Sequence, residues 1–123
     1  MAVKRTRESE EMYLEAILLL HGEHPNVRAV DVRAELGLAK SSVSRGVNLL
    51  EKKGYIRIDR ETGNLSFTDA GIKKAESIYE RHQTLTKVLM KVGATPKLAE
   101  ENACRMEHVV SDEMMEVFRS YIK

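Results

Sequence analysis

Three residues near the end of the sequence have side chains of types that can bind metal ions. Cys104, Glu107 and His108 are spaced at i, i+3 and i+4, so on a helix a thiolate, a carboxylate and an imidazole would share one face. Glu100, one turn earlier, offers a possible fourth donor. A different stripe of the same segment is apolar and would face a core: Ala99, Ala103, Met106 and Val110. The spacing predicts one helix that packs on one side and coordinates a metal ion on the other.

The same residues also allow two other interpretations. A single cysteine is usually a small buried hydrophobe, and glutamate with histidine is common on solvated helix faces. Alternatively, Cys-x-x-Glu-His at residues 104–108 is one substitution away from the inverted zinc-protease motif His-x-x-Glu-His. Cysteine in place of the first histidine argues against a metallohydrolase. The sequence also lacks a phosphate loop and a Ser-His-Asp order, so we expect no enzyme.

The composition indicates a small globular protein. Its 123 residues, of which 42% are hydrophobic and 32% charged, suffice for one domain or two very small ones. No apolar run approaches the length of a membrane span, and the N-terminus lacks the apolar stretch of a signal peptide. We therefore expect a cytoplasmic location, in which the single cysteine stays reduced and available as a ligand.

Hydrophobic periodicity predicts three helices in the first half of the chain. The first covers residues 8–21, the second residues 28–36 and the third residues 41–53. Gly37 supplies a left-handed turn between the second and third helices, which is the pattern of a helix-turn-helix. The residues expected to pack in this motif are Val30, Val32, Leu36, Leu38, Val43, Val47 and Leu50.

The start of the third helix carries side chains suited to reading DNA. Short polar and basic residues face outward there, namely Lys40, Ser41, Ser42, Ser44, Arg45 and Asn48. Arginine pairs with guanine and hydroxyls reach bases or phosphates in a major groove, although Ser41 could instead simply cap the helix. Residues 38–60 hold six basic residues against two acidic ones, and such a positive stripe suits a phosphate backbone.

A β-hairpin is predicted directly after this helix. Residues 55–59 and 65–68 alternate with period two on either side of a turn that contains Gly63. A helix-turn-helix followed by a hairpin is a winged helix, which is a widespread DNA-binding module. Arg57 and Arg60 of the hairpin would lie along the neighbouring DNA backbone.

The second half of the chain is predicted to be helical. Thr68 or Asp69 caps a long helix. Thr95 followed by proline begins the next helix, and Ser111 begins the last one. The last helix is rich in apolar residues that suggest a homodimer interface: Met114, Met115, Val117, Phe118, Tyr121 and Ile122. The predicted fold is mainly α, with a winged helix-turn-helix DNA-binding domain over residues 1–71 and an all-helical metal-binding and dimerisation domain over residues 72–123.

Beyond these elements, specific motifs give the chain a resemblance to the diphtheria toxin repressor family of iron- and manganese-dependent transcriptional regulators. They are Glu11-Met12-Tyr13, Arg81-His82, and Cys-Arg-Met-Glu-His-Val-Val-Ser-Asp at residues 104–112. The resemblance covers nearly all of the chain. It implies a repressor that binds double-stranded operator DNA as a homodimer when loaded with Fe(II) or Mn(II), and it implies neither a membrane nor a small organic substrate as a partner.

By position, the resemblance implies metal ligands of two types. The residues that match the primary site of the iron-type members are Met12, Cys104, Glu107 and His108. The residues that match ligands of the manganese type are Glu15, His82, Glu107 and His108. His82 also matches a ligand of the second iron-type site, but Thr86 replaces a carboxylate there and Glu100 replaces a histidine. The sequence also shows no SH3-like domain after its last helix, so an iron-type second site is not expected.

The site implied by the resemblance is therefore a hybrid. The thioether of Met12 and the thiolate of Cys104 are soft donors that favour Fe(II) over the harder Mn(II), whereas Glu15 and Glu100 add hard oxygens. A metal ion that joins the first helix to the later one would select the DNA-competent state of the dimer. The alternative is a metal-independent winged-helix regulator in which the metal site is vestigial.

Overall fold

The computed structural model is mainly α-helical, as predicted, and describes residues 2–123, with side chains from Ser9 onward. The helices and strands follow in the order α1 (Ala2–Glu23), α2 (Ala29–Leu36), α3 (Lys40–Lys52), β1 (Ile56–Ile58), β2 (Leu65–Phe67), α4 (Asp69–Lys91), α5 (Pro96–Met106) and α6 (Asp112–Tyr121). No helix in this part of the chain is long and apolar enough to cross a membrane. The chain divides within α4 into two compact units, one ending at Glu76 and the other comprising Ser77–Lys123.

In the N-terminal unit, α2 and α3 form the predicted helix-turn-helix. Gly37 between them has a φ of 65°, a left-handed conformation that glycine adopts without steric cost. Its N–H donates to the Arg33 carbonyl at 2.9 Å and so closes the end of α2. The core of this motif consists of buried apolar side chains from the three helices, namely Leu14, Ile17, Val32, Val43, Val47 and Leu50.

Two residues predicted to pack in this motif are exposed instead. Val30 is 55% exposed and Leu38 is 36% exposed. Val30 lies two residues before Val32, and two residues turn a helix by about 200°, so only one of this pair faces the core. Leu38 lies in the turn between α2 and α3. Val27, which precedes α2, is fully buried.

The wing is a short antiparallel hairpin attached to the end of α3. β1 and β2 pair in the register Ile56↔Phe67, Arg57↔Ser66 and Ile58↔Leu65, which is shorter than the predicted strands. Glu51 of α3 accepts a hydrogen bond from the backbone N–H of Ile58 at 3.0 Å and another from Arg60 at 2.5 Å. These two donors hold the pKa of Glu51 below its ordinary value, the Ile58 N–H contributing most. The wing is thereby tied to the helix that precedes it.

The C-terminal unit has its own small core. Leu85 of α4, Ala103 of α5 and Met115 of α6 are fully buried there. Partly buried apolar side chains surround them, namely Leu89, Met106, Val110 and Phe118. The predicted helix starts are confirmed: the Thr95 side chain accepts from the Leu98 N–H, and the Ser111 side chain accepts from the Met114 N–H.

Truncation of Met115 tests this core. We expect Met115→Ala to lower the free energy of unfolding by about 2–5 kcal/mol, because it leaves a cavity among Leu85 and Ala103. Met90, which is 43% exposed, provides the matched control. Met90→Ala should change the free energy of unfolding by no more than about 0.5 kcal/mol. Urea unfolding followed by circular dichroism measures both variants, and equal losses would contradict the assigned core.

Candidate functional site

The segment with Cys104, Glu107 and His108 is not one continuous helix, which corrects the sequence prediction. α5 ends at Met106, and Glu107 is its C-cap with φ −57° and ψ −25°. The N–H groups of Val109 and Val110 both donate to the Met106 carbonyl, at 3.0 and 3.1 Å. This turn separates α5 from α6. Glu107 and His108 therefore lie just beyond the helix end.

The buried carboxylate of Glu107 lies between two imidazoles. Its Oε2 is 2.7 Å from Nδ1 of His82 on α4, and its Oε1 is 3.3 Å from Nε2 of His108. Glu107 is only 1% exposed and His108 is 8% exposed, while His82 is half-buried. The structure places His82 of α4 directly against Glu107.

This donor set fits a divalent metal ion. Glu107 Oε1 accepts no hydrogen bond among the described residues, and a buried carboxylate is costly unless it is paired or coordinates a metal. Imidazole nitrogens and carboxylate oxygens are ligands for divalent first-row metals such as iron and manganese. His82, Glu107 and His108 therefore form the part of the predicted site that one unit brings together.

The remaining predicted ligands have different environments. Cys104 and Glu100 lie on α5 and are exposed. On α1 in the N-terminal unit, Met12 is exposed and Glu15 is half-buried. Thr86, which stands where the iron type has a carboxylate, donates its hydroxyl hydrogen bond to the His82 carbonyl at 2.8 Å.

Arg81 holds the loop that follows the candidate ligands, a role that the sequence reasoning missed. Its side chain is buried and donates to the carbonyl of Val110 and, at 3.0 Å, to Oδ1 of Asp112. Both acceptors lie within four residues of His108. The only sequence signal was the Arg81-His82 motif of the resemblance, because the acceptors are far away along the chain.

The predicted DNA-binding face of α3 is also open to solvent. Ala39 is the N-cap of α3 and no side chain caps this end, so Ser41 does not serve as the cap. This predicted DNA-binding face, the reading face of α3, consists of the exposed Lys40, Ser41, Ser44, Arg45 and Asn48 and the half-buried Ser42. Arg57 and Arg60 on the wing are exposed. A groove of about 530 Å³ lies between α3 and the wing, bordered by Ser44, Asn48, Arg60 and Thr62.

Two protein-family models match successive parts of the chain. Residues 5–63 match the iron dependent repressor, N-terminal DNA binding domain. Residues 68–123 match the iron dependent repressor, metal binding and dimerisation domain. The helix-turn-helix and β1 of the wing thus lie in the first match, β2 lies between the two matches, and the cluster of His82, Glu107 and His108 lies in the second.

Individual proteins show the same similarity along nearly the whole chain. The transcriptional regulator MntR of Escherichia coli O6:H1 is 34% identical over 115 residues, which cover 94% of this chain and 74% of that protein. A helix-turn-helix-type transcriptional regulator of Methanocaldococcus jannaschii is 30% identical over 118 residues, which cover 94% of each chain.

Solved structures share this fold. A manganese-dependent transcriptional repressor in complex with manganese superposes with a TM-score of 0.84 at 23% identity, covering 92% of this chain and 52% of that one. The manganese regulator SloR gives a TM-score of 0.79 at 24% identity, covering 92% and 53%. The chain therefore spans about half the length of these two proteins.

Removal of the Arg81 side chain tests its role in holding the loop. We expect Arg81→Met to lower the free energy of unfolding by about 1–3 kcal/mol, chiefly because the Val110 carbonyl loses its donor. Asp112 is exposed and can be solvated. Arg105→Met, at an exposed position of α5, is the control and should have little effect. Urea unfolding of both variants measures the difference, and an unchanged Arg81→Met protein would contradict this role.

Proposed function

Since this chain belongs to the iron-dependent repressor family, we propose that it binds operator DNA as a homodimer when a divalent metal ion occupies a site that includes His82, Glu107 and His108. Members of this family are metal-dependent transcriptional repressors, and the chain is a regulator rather than an enzyme. A repressor of this kind acts where the DNA is, so we also propose a cytoplasmic location.

The observation that carries the proposal is the buried Glu107 carboxylate between two histidines. Its two oxygens lie 2.7 Å from His82 and 3.3 Å from His108, in the region that matches a metal binding and dimerisation domain. When bound, a metal ion would supply the positive charge that this carboxylate requires and a fixed coordination geometry. α4 and the turn after α5 orient the three donors, because His82 lies on α4 and Glu107 and His108 lie in that turn.

The other ligands are proposed from the resemblance and from donor chemistry. Met12 and Glu15 of α1 would join the ion from the DNA-binding domain, and Cys104 or Glu100 would add a donor from α5. A ligand set that includes α1 gives metal binding a route to the DNA-binding domain. Metal would then favour the state of the dimer whose recognition helices match two half-sites.

The choice of metal depends on the two sulfur donors. Cys104 and Met12 are exposed and therefore accessible to an incoming ion, and their softness favours Fe(II) over Mn(II). Mn(II) is the second candidate, since a similar protein is named a manganese regulator and another a manganese-dependent repressor. The buried imidazole and carboxylate donors suit either ion. We propose Fe(II) as the effector, with Cys104 as the discriminating ligand.

The partners follow from the two surfaces of the chain. The reading face of α3, together with Arg57 and Arg60 of the wing, is proposed to contact bases and phosphates of double-stranded DNA. α6 carries apolar side chains that a monomer would leave in water: Met114, Val117 and Tyr121 are between 41% and 56% exposed. We propose that this helix contributes to the homodimer interface.

Anaerobic calorimetric titration with Fe(II) and with Mn(II) tests the metal proposal. In Cys104→Ser, the affinity for Fe(II) should fall about tenfold or more, equivalent to ~1.4 kcal/mol, because a hard hydroxyl replaces the soft thiolate. His24→Ala, which removes an exposed histidine, should leave both affinities unchanged. Mn(II) binding as tight as Fe(II) binding and insensitive to Cys104→Ser would instead identify a manganese sensor that uses Glu15, His82, Glu107 and His108.

A second prediction distinguishes the DNA-binding face of α3 from the metal site. On operator DNA selected from random sequences by the metal-loaded protein, Arg45→Ala should weaken binding by about 1–3 kcal/mol without changing metal affinity. His108→Ala should abolish the metal response while the metal-free protein remains folded. Fluorescence anisotropy at fixed salt measures operator affinity, with Arg105→Ala as the charge-matched control. The assignment of α3 as the DNA-recognition helix is wrong if the Arg45→Ala and Arg105→Ala proteins bind operator equally well.

A further inference from the structure

Within the N-terminal unit, the ring of Tyr13 on α1 rests directly on the backbone of α3 at Gly46. A Cβ atom added to Gly46 would lie 2.2 Å from Cε2 and 2.5 Å from Cζ of that ring. Real Cβ atoms do not approach other carbons so closely. The aromatic ring therefore occupies the volume that any other side chain at Gly46 would need.

The hydroxyl of Tyr13 reaches the first turn of α3. It donates a hydrogen bond to the Ser42 carbonyl at 3.2 Å, and the residue is only 8% exposed. Burial raises the pKa of Tyr13, and the nearby positive charge of Arg45 acts against that rise. Arg45 and Tyr13 also border the same groove of about 280 Å³ between α1 and α3. Tyr13 thus lies beside the residue proposed to read a base.

A second contact secures the other end of α3. Glu10 lies three residues before Tyr13, so the two side chains share a face of α1. Its buried carboxylate is 2.6 Å from the ammonium of Lys53, the C-cap of α3, and 2.8 Å from that of Lys74. A buried carboxylate with two cationic partners is strongly held in place. Together, Tyr13 and Glu10 dock α1 along the length of α3.

We propose that Tyr13, seated on Gly46, is the positioning residue through which the recognition helix α3 follows any change in α1. This inference rests on the proposed function, in which Met12 and Glu15 of α1 bind the effector metal. Met12 and Tyr13 are adjacent residues of one helix, so constraint of α1 by a metal ion constrains the ring on Gly46. The ring and its hydroxyl then fix the first turn of α3 and the position of Arg45.

The test is Gly46→Ala, with operator affinity measured in the presence and absence of the effector metal. The added methyl group displaces the ring, so the enhancement of operator affinity by metal should fall at least about tenfold, within the range of typical allosteric coupling. Metal affinity in the absence of DNA should stay within about twofold. Gly22→Ala is the matched control, because a Cβ at Gly22 meets no atom within 4 Å, and it should retain the wild-type enhancement.

A double-mutant cycle separates this role from a general loss of stability. Tyr13→Leu removes the ring without a clash at Gly46 and should also reduce the metal enhancement. In the Tyr13→Leu background, Gly46→Ala should then change the enhancement by less than about twofold, because the ring it displaces is gone. Additive effects of the two substitutions would overturn the proposal, as would a wild-type enhancement in Gly46→Ala.

Failure of the proposed function would look different. Wild-type protein whose operator affinity does not respond to metal would refute metal-dependent repression, and with it the premise of this inference. Wild-type protein that responds to metal, together with a Gly46→Ala variant that responds equally, would refute only the role of Tyr13. Thermal unfolding of each variant verifies that it is folded at the temperature of the binding measurements.

Discussion

The burial of the Glu107 carboxylate is the constraint on which the C-terminal unit depends. A carboxylate that is 1% exposed needs a compensating charge, since water cannot solvate it. The side chains near it are His82 at 2.7 Å and His108 at 3.3 Å. Imidazole nitrogens and carboxylate oxygens also bind divalent metals, so the residues that offset the cost of burying this carboxylate are the ones proposed to bind a metal ion with it. The structural role and the proposed ligand role of Glu107 therefore coincide.

The helices around Glu107 are arranged to preserve this geometry. α4 supplies both His82 and Arg81, and Arg81 binds the loop that leads from the candidate ligands Glu107 and His108 into α6. A small core of Leu85, Ala103 and Met115 joins the same three helices. In the N-terminal unit, α1 and the wing similarly hold α3 through Tyr13, Glu10 and Glu51. In each unit, the side chains proposed to be functional lie on elements that neighbouring helices fix in place.

Local sequence signals predicted most elements because they depend on neighbouring residues. Gly37 and the helix starts at Thr95 and Ser111 were predicted correctly. The prediction that α5 continues through His108 was wrong, because no glycine or proline marks the end of the helix at Met106. The turn that follows is closed by hydrogen bonds to the Met106 carbonyl. The prediction that Val30 packs in the core was also wrong, because the hydrophobic pattern of a helix of eight residues is too short to define a face. The preference for iron stays a prediction.

The sequence by itself determined which helices form, which donors exist for a metal ion or for DNA and, in helices longer than α2, which faces are apolar. Periodicity and capping act over one or two turns, so they are readable from adjacent residues. Only the tertiary structure decided which distant residues meet. His82 and Glu107 are 25 residues apart and Tyr13 and Ser42 are 29 apart. Such contacts depend on how helices pack, and packing is set by shape complementarity across the whole core, which no local pattern encodes.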